Sequence, residues 1–156
     1  MRSLLYRIVA WMLACVSAPW VIHHQRIIRR DGRALSVGER EIAGQLGVEL
    51  IDDTYVLAVD VVPNPLRYLS AILEKRSKAC ISGVDGITLG HGIYVARRVA
   101  DATGLMAHEL VHVLQYERAG SVWRFMVEYI HQCLMHGYYH AAWEIEAREQ
   151  SARLLR

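Results

Sequence analysis

The sequence predicts an α+β domain with a small sheet in its first part and a helical second part. Three observations carry this. Tyr55–Val62 (YVLAVDVV), Ile87–Leu89 and Gly92–Ala96 are apolar, largely β-branched runs of strand length. From Ala102 onward the apolar period is helical through three successive segments. The resulting order of helix, strand, helix, two strands and three helices is that of an α+β domain. The chain has 156 residues, 53% hydrophobic and 22% charged, so it can bury a core and is too apolar for a disordered chain.

Taken in order, the first element is an uncharged run from Ile8 to Ile22, preceded by Arg2 and Arg7. Val16-Ser17-Ala18 resembles a small-residue cleavage site, which gives the outline of a secretory signal. Pro19 after the cut and the shortness of the run count against a signal and a span. A helix packed on the domain, or lying at a membrane surface with His23, His24, Arg26, Arg29 and Arg30 at the headgroups, fits equally. Residues 1–30 therefore form a hydrophobic segment, signal, anchor or packed helix, and residues 31–156 the domain. Location at a membrane or outside the cytoplasm is slightly favoured over the cytoplasm.

Asp31-Gly32 marks a turn. Ser36 with Glu39 three residues later forms a capping box, and the helix runs to Gln45 or Leu46 before Gly47. Tyr55–Val62 follows as a strand ended by Pro63 and Pro65. Leu66–Ser77 is an amphipathic helix and Gly83–Gly86 a turn. The two short strands break at Gly90-His91. The next helix starts at Thr103 or Asp101 as cap and stops at Gly120. Val122–Met135 is helical up to Gly137, and the last helix covers about Ala141–Leu155.

Charge and cysteines narrow the partners. The net charge is +2, and the sixteen Arg are scattered without a basic stripe or interleaved aromatics, which argues against nucleic acid. Cys15, Cys80 and Cys133 are odd in number and widely spaced, so they give neither a disulfide framework nor a paired-cysteine metal site. Nothing in the sequence sets an oligomeric state.

The chemistry is concentrated in His108-Glu109-Leu110-Val111-His112. Residues i and i+4 lie one above the other on a helix, so both imidazoles can bind one metal. Glu109, one step round, can reach a metal-activated water as general base, since zinc lowers the pKa of water toward ~7. With eight His and ten Glu in the chain, this pattern is expected by chance on the order of 0.02 times. Its flanks are Leu105, Met106, Ala107, Val113 and Leu114, and ionisable groups on so apolar a helix are costly without a partner. Zinc is the cofactor expected, with His108 and His112 as ligands.

A third protein ligand must come from elsewhere, because positions 115 and 118 are Gln and Arg, not the Gly and His of an extended motif. Trp143-Glu144-Ile145-Glu146-Ala147-Arg148 offers Glu144 and Glu146, about 200° apart on a helix, and periodicity does not choose between them.

HELVHVLQ at His108–Gln115, the strand pair before it and Glu144–Ala147 (EIEA) resemble the gluzincin branch of the zincin metallopeptidases. The likeness is closest to minimal gluzincins and bacterial zincin-like domains, and covers about Gly83 to Arg148. It implies a zincin-like fold and a peptide or protein substrate. By the ExxAD pattern of related zinc proteases it also implies Glu144 as third ligand, with Ala147 matching the Ala. Arg148 stands where that pattern has an Asp that orients a zinc-binding histidine. The resemblance further implies a substrate-pairing edge strand, for which Gly92–Ala96 is the candidate. It also implies an oxyanion-holding Tyr or His, sought among His136, Tyr138, Tyr139 and His140. His23, His24, His91 and His131 have no partner spacing and read as structural.

The leading expectation is a zinc-dependent peptidase. The alternative is a zincin-fold binding or regulatory module that keeps the metal and turns over little. A third reading is a membrane-associated interaction protein built around the N-terminal segment.

Overall fold

A computed structural model describes residues 2–64 and 84–156 of the chain. The helix expected over Leu66–Ser77, Gly83 of the expected turn, and Cys80 lie outside the described residues. The elements in chain order are α1 (Arg2–Asp31), β1 (Arg33–Ala34), α2 (Val37–Leu46), β2 (Tyr55–Val59), β3 (Gly86–Leu89), β4 (Gly92–Ala96), α3 (Thr103–Ala119), α4 (Val122–His136) and α5 (Ala142–Leu154). The fold is α+β, with a four-stranded sheet in the order β1-β2-β4-β3.

The sheet is covered on both faces, and β4 shows why. Period-two alternation sends Ile93 and Val95 to one side, where they join Leu35, Ala43, Val56, Met106, Leu110 and Val113 from α2, α3 and their surroundings. Tyr94 and Ala96 go to the other side, with Ala14, Val21, Ile28, Phe125 and Ile130 from α1 and α4. A strand buried on both faces needs no polar alternation, which accounts for the apolar sequence GIYVA.

This arrangement corrects one expectation. Gly92–Ala96 is not the edge strand; β4 runs parallel to β2 on one side and antiparallel to β3 on the other. Among the described residues the sheet edge on the α3 side is β3, Gly86–Leu89. The strand expected over Tyr55–Val62 ends earlier, at Val59, because its partner β4 ends opposite it at Ala96. Arg97 then holds the departing chain through Asp60 and the carbonyl of Ala58.

Local signals fixed other boundaries. Ser36 and Glu39 form a reciprocal capping box, and Glu39 also pairs with Arg33 at 2.6 Å. Gly47 closes α2 in the left-handed region, at φ 85°. The α3 start is different: its N-cap is Ala102, and neither Asp101 nor Thr103 caps it with a side chain.

The N-terminal segment is longer than its uncharged run. α1 continues through Pro19 to Asp31, about 45 Å at 1.5 Å per residue. It packs on α4 and the sheet through Ala10, Ala14, Val21 and Ile28. Gly32 follows it, at a place where a Cβ would collide with the carbonyl oxygens of Ile28 and Val56. This helix is long and apolar enough for a membrane span or a signal sequence.

Candidate metal centre

Three side chains converge where α3 meets α5. His108 and His112 sit one turn apart on α3, and their Nε2 atoms are 3.2 Å apart. Glu144, in the first turn of α5, brings Oε1 to 3.4 Å from His112 Nε2 and Oε2 to 3.5 Å from His108 Nε2. The group could hold one metal ion. Glu144 is only 1% exposed, and its Oε2 has no hydrogen-bond partner. Its other oxygen accepts a 2.6 Å bond from the Tyr129 hydroxyl of α4.

Electrostatics tie the trio together. Burial alone would push the Glu144 carboxyl up, but the His108 and His112 imidazoles beside it outweigh this and hold it well below the usual carboxylate range. Burial likewise pulls the His112 imidazole down, and Glu144 overrides it, so His112 stands above its ordinary value. Arg148 approaches Glu144 Oε2 at 3.9 Å and lies over the ring of Tyr139.

Behind His112 runs a polar chain that fixes its ring. The Gln115 amide nitrogen donates to Trp143 O at 3.0 Å and to Glu146 Oε2 at 2.9 Å. The amide oxygen is therefore left to accept from His112 Nδ1, 2.8 Å away. Glu146, the rival for third ligand, is turned from the imidazoles and pairs with Arg118 at 2.6 Å. With Nδ1 committed as a donor, His112 directs Nε2 at His108 and Glu144.

Glu109 lies outside this trio on the sheet side of α3 and is 4% exposed. The Thr88 hydroxyl of β3 is 2.7 Å from its Oε2 and 2.9 Å from its carbonyl oxygen. A Cβ at Gly86 would come to 2.7 Å from Oε1, so a larger residue there would push this carboxylate aside. Burial raises the Glu109 carboxyl above its ordinary pKa, against the pull of His112 and His108.

Comparison with family models, with curated proteins and with solved structures found no match to this chain.

The oxyanion candidates divide. Tyr138 is near enough that burial, and then the charge of Glu144, raise its hydroxyl pKa far above normal. Tyr139, His136 and His140 are exposed. Sequence reasoning missed Thr88, Gln115 as the His112 partner, and Tyr129. Tyr129 shares α4 with Phe125, which stacks on Trp143 of α5, so an aromatic contact carries its hydroxyl to Glu144. Of the histidines read as structural, His91 meets Glu117 at 3.2 Å and His24 meets the Tyr94 hydroxyl at 3.0 Å. His131 Nε2 is buried without a partner.

Proposed function

We propose that this chain is a zinc-dependent peptide hydrolase of the gluzincin type, with His108, His112 and Glu144 as ligands and Glu109 as general base. The observation that carries the reading is the size of the ligand triangle. Ligands about 2.0–2.1 Å from a tetrahedral zinc are separated by about 3.3–3.4 Å. Here the two imidazole Nε2 atoms are 3.2 Å apart, Glu144 brings one carboxylate oxygen to 3.4 Å from His112 and the other to 3.5 Å from His108, and one ligand atom from each residue lies within 4.8 Å of the others. The unpartnered Glu144 Oε2 supplies the acceptor that such an ion would satisfy.

Bound there, zinc would supply Lewis acidity, lowering the pKa of water and polarising a carbonyl. The protein's part follows from its own groups. Glu109 would take the proton from the attacking water, and its raised pKa makes it a stronger base for that step. Thr88 aims its carboxylate, Gln115 sets the His112 tautomer, and Tyr129 steadies Glu144. Among the described residues the outer edge of β3 has no strand partner, and there it would offer backbone groups to an extended peptide beside Glu109. The apolar α1 supports a location at a membrane or outside the cytoplasm.

One observation favours a second reading, a metal-holding module with little turnover: of the three ligands, even the His108 side chain is only 19% exposed. A single preparation separates the two. The purified chain should carry one zinc by elemental analysis, lose it when His108→Ala and His112→Ala are combined, and cleave a fluorogenic peptide library in a chelator-sensitive way. Zinc without cleavage would select the module, and zinc that survives both substitutions would remove the site.

Gln115→Leu provides a finer test, because it deletes the acceptor at His112 Nδ1 while keeping α3 apolar. Zinc affinity, read by competition with a chromogenic chelator, should fall about ten- to a hundredfold. Unchanged affinity in a folded variant would leave Gln115 a packing residue.

A further inference from the structure

We propose that the outer face of α1 seats this protein on an anionic phospholipid bilayer, with the helix lying in the plane of the membrane surface. This deepens the compartment part of the preceding reading and is independent of the metal chemistry.

Exposed apolar side chains line one side of α1. Projected at about 100° per residue, Leu4, Leu5, Ile8, Trp11, Met12, Cys15, Val16 and Pro19 fall within one arc of roughly 140°. These residues are all exposed, Met12 by 59% and Val16 by 77%. The opposite side is apolar too, but it is the small-residue face of Ala10, Ala14 and Ala18 that meets the domain. A helix apolar all round is buried in protein or in lipid. α1 is buried on one side only, so lipid is the solvent that suits the other. A continuous apolar stripe of this length also exceeds the scattered exposed side chains of an ordinary surface.

Charge identifies the lipid. No acidic residue occurs before Asp31, and Arg26, Arg29 and Arg30 continue the same arc beyond the apolar stripe. Between His23 and Arg33 the chain has four arginines and one acid. Arg29 and Arg30 remain largely exposed even while paired with Asp53 and Asp31. A second copy packed parallel on this face would bring these arginines against each other, and one packed antiparallel would set them on the apolar stripe, whereas anionic headgroups would neutralise them. The orientation follows from packing: α4 and the sheet cover the inner side of α1, so a full span would drag the domain into hydrocarbon. Lying flat immerses only the stripe.

The full chain should sediment with vesicles of phosphatidylcholine and phosphatidylglycerol, and less with phosphatidylcholine alone. Brominated acyl chains should quench its tryptophan emission, and Trp11→Phe should remove most of that quenching. Combining Met12→Glu and Val16→Glu, both on exposed positions, should weaken vesicle binding about tenfold or more with unchanged zinc content and circular dichroism. Equal vesicle binding by that variant would overturn the proposal. A parent chain that ignores vesicles, or that forms a dimer dissociated by the two glutamates, would also overturn it. Failure with zinc intact leaves the metal reading standing.

Discussion

Glu109→Gln is expected to retain one zinc per chain and to lose hydrolysis by about a hundredfold or more. The substitution preserves shape, so the close approach to Gly86 is kept, and Thr88 still finds an oxygen to donate to. What it removes is the ability to take a proton from water. Glu109 is not a member of the ligand triangle, so the metal should remain. Stability points the same way. Burial disfavours the ionised carboxylate, as its raised pKa reports, and a neutral amide of equal volume should not lower the melting temperature. Elemental analysis, steady-state peptide cleavage and a thermal melt on one preparation test all three points. Loss of zinc in this variant would make Glu109 a ligand or a structural carboxylate.

What the sequence made legible was local. The capping box at Ser36 and Glu39 needs four residues, and the His108–His112 pair needs one helical turn. Both depend on short-range geometry that periodicity encodes. The partners of those groups depend on long-range packing. Thr88 reaches Glu109 because β4 pairs parallel with β2, which places β3, at the sheet edge among the described residues, against α3. No local pattern announces a parallel pairing, and Gly92–Ala96 looked like the edge because it precedes the helix in sequence.

The two α5 glutamates show the same limit. Their angular separation suggested that one would face α3 and the other would turn away. Both in fact touch α3, at different heights. Glu144 meets the level of His108 and His112, and Glu146 the level of Gln115 and Arg118. The departure at Arg148 finds its counterpart here as well. The resemblance would put a ring-orienting Asp at that position, and in this chain the His112 ring is instead held by Gln115, itself braced by Glu146 and Trp143 O.

That difference in height makes the third-ligand assignment testable. Glu144→Gln is expected to weaken zinc binding by more than about a hundredfold, whereas Glu146→Ala should weaken it by no more than about tenfold. Glu144 is the buried carboxylate with an unpartnered oxygen between two imidazoles, and an amide in its place supplies a neutral, weaker ligand. Tyr129 would lose a charged acceptor at the same time, so the side chain would be held less firmly. Glu146 touches no imidazole. Its removal frees Arg118 and leaves the Gln115 amide bonded to Trp143 O, so the His112 ring keeps its partner. Chelator competition on both variants gives the two affinities, and circular dichroism checks that each is folded. Zinc lost from Glu146→Ala but held by Glu144→Gln would transfer the ligand role to Glu146. Zinc held equally by both would remove glutamate from the ligand set, and the gluzincin reading with it.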